Sequence, residues 1–174
     1  GGSKQGDEDA VHQVDQYSSR AAGFAYDRAK AALSEGKIPG LIGGEHGVSY
    51  GLYKAVAEHH PGVGILQIDA HMDLRAAFEG FAWSHASVMH NVVHDLEGVS
   101  RIVQVGIRDY CEQEAILAES LAPDRAPEGQ TQVVTFFWDD IADERQGGVP
   151  WPVICERIVN RLPSEVLIDI DIDG

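Results

Sequence analysis

The spacing of apolar residues divides the chain into alternating helical and extended segments. Val11, Val14, Ala21, Phe24, Ala25, Ala29, Ala32 and Leu33 recur at helical intervals, and Gly36 and Pro39 stop that helix. Leu41-Ile42 predicts a short strand, Val48 to Glu58 a helix closed by His-His-Pro-Gly, and Val63 to Asp69 a strand. Ser84 stands as an N-cap ahead of a helix with Val88, Met89, Val92, Val93 and Leu96 on one side. A strand from Ile102 to Val105, a helix from Glu112 to Leu121 and a Pro-containing linker follow. A strand from Val133 to Phe137, a helix from Pro152 to Leu162 and a strand from Val166 to Ile172 complete the pattern. Short apolar strands alternating with helices specify an α/β fold with a mostly parallel sheet covered on both faces. No repeat, low-complexity tract or linker divides residues 1–174, which are read as a single domain. Ligand sites in such sheets form outside the carboxyl ends of the strands.

Composition narrows the partners. A chain of 174 residues, 44% hydrophobic, is long enough for one substantial core. The net charge of −15, from 28 acidic and 13 basic residues, argues against sequence-independent binding to nucleic acid or an anionic membrane and favours a cationic ligand. Cys111 and Cys155 share no metal-binding spacing, and two unpaired thiols fit a cytoplasmic protein. No stretch has the length of a membrane span, and the opening Gly-Gly-Ser-Lys-Gln-Gly-Asp-Glu-Asp is too polar for a signal peptide. With no initiator Met, the chain is expected to be a fragment.

Chemistry gathers where strands stop. Gly43-Gly-Glu-His46 follows the first strand, Asp69-Ala-His-Met-Asp73 the second, and Asp169-Ile-Asp-Ile-Asp-Gly174 lies at the last. Singly, each has an ordinary explanation: His46 as a residue at a helix start, Asp69 and Asp73 as turn caps, the last strand as an amphipathic one with its acids in water. The period of two, however, puts Asp169, Asp171 and Asp173 on one face, and three neighbouring carboxylates in a covered sheet repel one another unless a cation binds. Four Asp and two His form a hard donor set that suits manganese better than structural zinc, and bridging carboxylates allow two ions.

These motifs resemble the ureohydrolase family of arginases, agmatinases and their relatives. Its signatures GG[DE]H, DAHxD and DxD stand here as Gly43-Gly-Glu-His46, Asp69-Ala-His-Met-Asp73 and Asp171-Ile-Asp173, in the family's order. The stretch Asp69 to Met89 and the later Val103-Gln-Val-Gly-Ile-Arg108 look agmatinase-like. The resemblance implies a three-layer α/β/α fold, arginase-like and incomplete at the C-terminus. It implies two manganese ions per subunit, one held by His46, Asp69, Asp73 and Asp171 and the other by Asp69, His71, Asp171 and Asp173. A hydroxide between them, steadied by Asp73, would attack the guanidinium carbon, and His85 would pass a proton to the leaving amine; a helix-start histidine without chemistry is the alternative for His85.

Asp169 occupies a position where the family usually has Ser or Thr, so an Asp169/Asp171 register is a competing alignment. The chain also stops inside the third signature, before the family's acid that receives the guanidinium. The implied substrate is a small cationic guanidino compound, agmatine foremost, and the implied assembly a homo-oligomer when full length. The alternatives are another guanidino or formimino hydrolase of the family, a single-zinc deacetylase of related fold, against which His46 and Asp73 argue, and a non-catalytic metal-binding fragment. His59, His60, His90 and His94 match no motif.

Overall fold

A computed structural model describes the backbone of residues 2–173 and the side chains of residues 9–173. Gly174, which favours the Asp171/Asp173 register, lies outside the described residues. Helix α1 (Gly2–Ser34) leads by an extended segment and a 3-10 turn (His46–Val48) into α2 (Ser49–His59). Strand β1 (Val63–Ile68), a second 3-10 turn (His85–Ser87), α3 (Val88–Asp95), β2 (Val99–Ile107), α4 (Glu112–Ser120) and β3 (Gln132–Phe137) follow. Then come α5 (Trp138–Gln146), α6 (Trp151–Val159) and β4 (Val166–Ile170). All pairings are parallel, in the order β3-β2-β1-β4.

Alternation along the strands builds two cores. Val63, Ile65, Val99, Ile102 and Val133 pack with Tyr53, Met89, Val92 and Leu121, so α2, α3 and α4 cover one face. Val103, with Leu66, Val105 and Val134, packs on Ile141, Ile154 and Ile158 of α5 and α6, which cover the other. The three-layer arrangement is therefore as expected. Helix α1 lies outside α2 along Ala29, Leu33 and Ala55. The crossing is so close that a Cβ on Gly51 would stand 1.9 Å from the Ala22 carbonyl oxygen.

Three expectations need correction. Leu41-Ile42 is not a strand, because strands exist by pairing and this segment has no partner; a cleft of about 1040 Å³ separates it from β4. Strand β4 stops at Ile170, so Asp171 and Asp173 stand on the loop beyond it rather than within the sheet. The sheet is not covered on both faces throughout: Ile168 and Ile170, on the α5–α6 side, are each 64% exposed. Helix α5 escaped sequence reading, since Trp138-Asp-Asp-Ile-Ala-Asp-Glu-Arg-Gln offers a single buried anchor, Ile141, in place of an apolar stripe.

Candidate metal centre

Where β1 ends, the backbone turns twice to gather carboxylates. Asp69 is almost fully buried; its Oδ1 accepts the His71 N–H and its Oδ2 accepts the Gln67 amide, both at 2.8 Å. Gly106 (φ 93°) permits this loop to settle on β2, because a Cβ there would lie 3.2 Å from the Asp69 carbonyl oxygen. Beyond that bend the N–H groups of Arg108 and Asp109 donate to the Ala70 carbonyl at 2.8 and 3.1 Å. Asp73 has φ 54°, a left-handed conformation that Asp tolerates better than most residues. The turn sends its carboxylate toward His46 and its carbonyl toward α3, where it accepts the N–H groups of Met89 and His90 at 3.0 Å. That explains why the expected Ser84 cap makes no side-chain cap bond: its hydroxyl pairs with Ser87 at 3.0 Å, and Asp73 satisfies the helix start.

His46 lies at the centre. Its Nδ1 is 2.8 Å from Asp73 Oδ2 and 3.6 Å from Oδ2 of both Asp69 and Asp171. Its Nε2 faces Asp169 Oδ2 at 3.0 Å and the Tyr53 hydroxyl at 3.3 Å. On the outer side His71 Nδ1 is 3.5 Å from Asp69 Oδ1 and 3.4 Å from Asp173 Oδ2. Two groups of possible ligands result, His46–Asp69–Asp169 and Asp69–His71–Asp173, each with donor atoms within 4.8 Å of one another, and Asp69 belongs to both. Of the six sequence-predicted ligands, His46, Asp69, His71 and Asp173 fall in these two groups, with Asp69 at the junction, whereas Asp73 and Asp171 approach through His46 Nδ1. Asp169 joins as well, on the far side of the His46 ring.

Electrostatics show what the cluster lacks. Burial raises the carboxyls of Asp69 and Asp73, the latter to about 6. Burial also opposes charge on His46, yet its bonds to Asp169 and Asp73 outweigh that and raise it to about 11. Among the described residues, no Lys or Arg forms an ion pair with Asp69, Asp73, Asp169, Asp171 or Asp173. Arg108 reaches the Asp173 carbonyl instead. So much negative charge around one protonated imidazole is costly, and a divalent cation would remove the cost. The donor set, carboxylate oxygens and imidazole nitrogens without thiolate, fits a hard or borderline divalent cation, manganese among them.

His85 stands apart from the ligands. Its Nδ1 is 3.4 Å from Glu45 Oε1, and its ring meets Phe78 edge-on at 5.4 Å between centroids. The Arg75 guanidinium lies 5.2 Å over Phe78 and is held by the buried Glu114 carboxylate at 3.2 Å. Glu45 Oε2 accepts the Gly47 N–H at 3.0 Å, so this side chain links the two 3-10 turns. Sequence reasoning gave Glu45 no role of its own, although its place beside His46 in the glycine turn was visible. His60 pairs with Glu165 at 3.3 Å, while His90 and His94 stack at 4.1 Å, all outside the cluster.

The family model described as the arginase family matches residues 7–174. An agmatinase of Bacillus anthracis is 40% identical over 82 residues, 47% of this chain and 28% of that protein. An N(1)-aminopropylagmatine ureohydrolase of Synechocystis sp. is 32% identical over 144 residues, 82% of this chain and 40% of that protein. The crystal structure of an agmatine ureohydrolase of Thermoplasma volcanium superposes with a TM-score of 0.67 at 28% identity, covering 90% of this chain and 47% of that one. The chain therefore spans less than half the length of each of these relatives.

Proposed function

Because the chain belongs to the arginase family, we propose that it carries the binuclear manganese centre of an amidinohydrolase that cleaves a guanidino compound, agmatine foremost, to urea and an amine. The sharing of Asp69 between a His46 group and a His71 group carries the reading. The names of two similar proteins, agmatinase and N(1)-aminopropylagmatine ureohydrolase, favour agmatine or a substituted agmatine as substrate. His46, Asp69, Asp73 and Asp171 would hold one ion, and Asp69, His71, Asp171 and Asp173 the other. When bound, the pair supplies the Lewis acidity that lets water attack a guanidinium carbon near neutral pH.

The chain's own groups do the remainder. Asp69 and Asp73, fixed by Gln67, the His71 N–H and the turn at φ 54°, hold their lone pairs toward the reacting centre. The chain's overall net charge of −15 favours the approach of a cationic guanidinium over that of an anion. His85, with Nδ1 turned to Glu45, keeps Nε2 free to give a proton to the departing amine. We further read the protein as cytoplasmic, on its two free cysteines, and as homo-oligomeric when full length, as the resemblance to the family implies.

Urea release from agmatine, arginine and 4-guanidinobutyrate with manganese supplied is the test. Little or no turnover is expected of this chain, because His71, Asp173 and His85 are each about half exposed, and any that occurs should be greatest with agmatine. Asp69→Asn should abolish it. Urea formation that survives that substitution, or no manganese bound by the unaltered chain, would overturn the reading.

A further inference from the structure

One row of the sheet is polar where its neighbours are not. Thr135 on β3, Gln104 on β2 and Gln67 on β1 are cross-strand partners at one register. Both glutamines are fully buried. Two residues back on the same face, the row is Ile65, Ile102 and Val133; on the opposite face Leu66, Val103 and Val134 stand side by side. An apolar row would fill this space at lower desolvation cost, so the amides call for an explanation.

Their hydrogen bonds run in one direction. The Thr135 hydroxyl donates to Gln104 Oε1 at 3.0 Å. Gln104 Nε2 donates to Gln67 Oε1 and to the Met72 carbonyl, both at 2.8 Å. Gln67 Nε2 then donates to Asp69 Oδ2 at 2.8 Å and to the His71 carbonyl at 3.2 Å. The order follows from chemistry: a carboxylate only accepts, so Gln67 must turn its amide to Asp69 and its carbonyl to Gln104, and Gln104 must then face Thr135 with its own carbonyl. Each amide also ties down a carbonyl of the 69–73 loop, at Met72 and at His71. Asp69 and the loop carrying His71 and Asp73 therefore share one buried support.

We propose that Gln67 and Gln104, anchored by Thr135, are positioning residues for Asp69, holding its carboxylate in the one orientation that serves both the His46 and the His71 sides. The inference rests on the metal-centre reading above. Partners that orient ligating groups characteristically change metal affinity by about 10–100-fold when removed.

The experiment is a calorimetric manganese titration of the chain and of Gln67→Met, Gln104→Met and Val133→Ala, paired with melting in EDTA. Methionine keeps length and bulk while deleting the amide; Val133→Ala opens a cavity on the same face without touching the relay. Gln67→Met and Gln104→Met should weaken manganese about 10–100-fold, whereas Val133→Ala should lower the melting temperature with affinity changed less than about 3-fold. Thr135→Val, at the half-buried end, is the milder variant should the methionine variants not fold, and is expected to give a smaller loss in the same direction. Affinity losses that merely track the fall in melting temperature across all variants would overturn the proposal. No manganese binding by the unaltered chain would instead overturn the metal-centre reading.

Discussion

Asp69 and His46 set the behaviour of the centre. Asp69 is the group shared by both halves, whereas His85 touches Glu45 and Phe78. Asp69→Asn should therefore remove most manganese binding, and His85→Asn should leave it within about 3-fold; equal losses in elemental analysis would refute the role given to His85. His46, raised to about 11 in the absence of metal, enters neutral solution protonated and must give up that proton to bind a cation. The sign follows: a proton displaced on binding means that affinity rises with pH, by about tenfold per unit between pH 6.5 and 8. Below about 6 Asp73 also takes up a proton and the slope should steepen. A flat profile from calorimetry across that range would contradict the assignment of His46. Asp169, which the sequence presented on one acidic face with Asp171 and Asp173 and as a departure from the family pattern, faces the back of the His46 ring at 3.0 Å. An Asp there fixes the tautomer that leaves Nδ1 to the metal, and Asp169→Ser should weaken manganese about tenfold while leaving the fold intact.

The elements carrying these residues were legible to different degrees. Helices α2, α3, α4 and α6 and strands β1, β2 and β3 announced themselves because each buries an apolar stripe or alternation, and β4 was legible from its alternation of Ile and Asp although Ile168 and Ile170 stay exposed. Leu41-Ile42 read as a strand for the same reason, but periodicity registers side chains and not the presence of a pairing edge. The six proposed ligands were legible because three short motifs concentrate acids and imidazoles near strand ends. Glu114 was not, since a lone Glu in a helix pattern looks solvated; in fact it is buried and accepts N–H groups from Leu74 and Cys111 at 3.1 and 2.8 Å. Glu114→Ala should cost about 2–4 kcal/mol, read as a lowered urea midpoint, because it orphans buried donors and frees Arg75 at once. Gly51→Ala is expected to be comparably damaging, since its methyl would overlap the Ala22 carbonyl where α1 crosses α2. A midpoint unchanged by the Gly51 substitution would mean that the two helices do not pack as described.

For the molecule as a whole, the centre lies at the mouth of the cleft between β4 and the 38–45 segment, with His46, Asp169 and Asp171 among the lining residues. The bare side of β4, with Ile168 and Ile170 exposed, should make the chain self-associate, and Ile168→Lys with Ile170→Lys should reduce that association in sedimentation. Burial is uneven across the cluster: His46 and Asp69 are enclosed, whereas His71 and Asp173 are half open to solvent. The two ions should accordingly bind with different strengths, the His46 side tighter. A manganese titration followed by calorimetry and by paramagnetic resonance examines both at once. Two ions per chain are expected, the first tighter than the second, spin-coupled when both are present, and both lost in Asp69→Asn. A single uncoupled ion, or two that persist without the Asp69 carboxylate, would contradict a centre built on one shared aspartate.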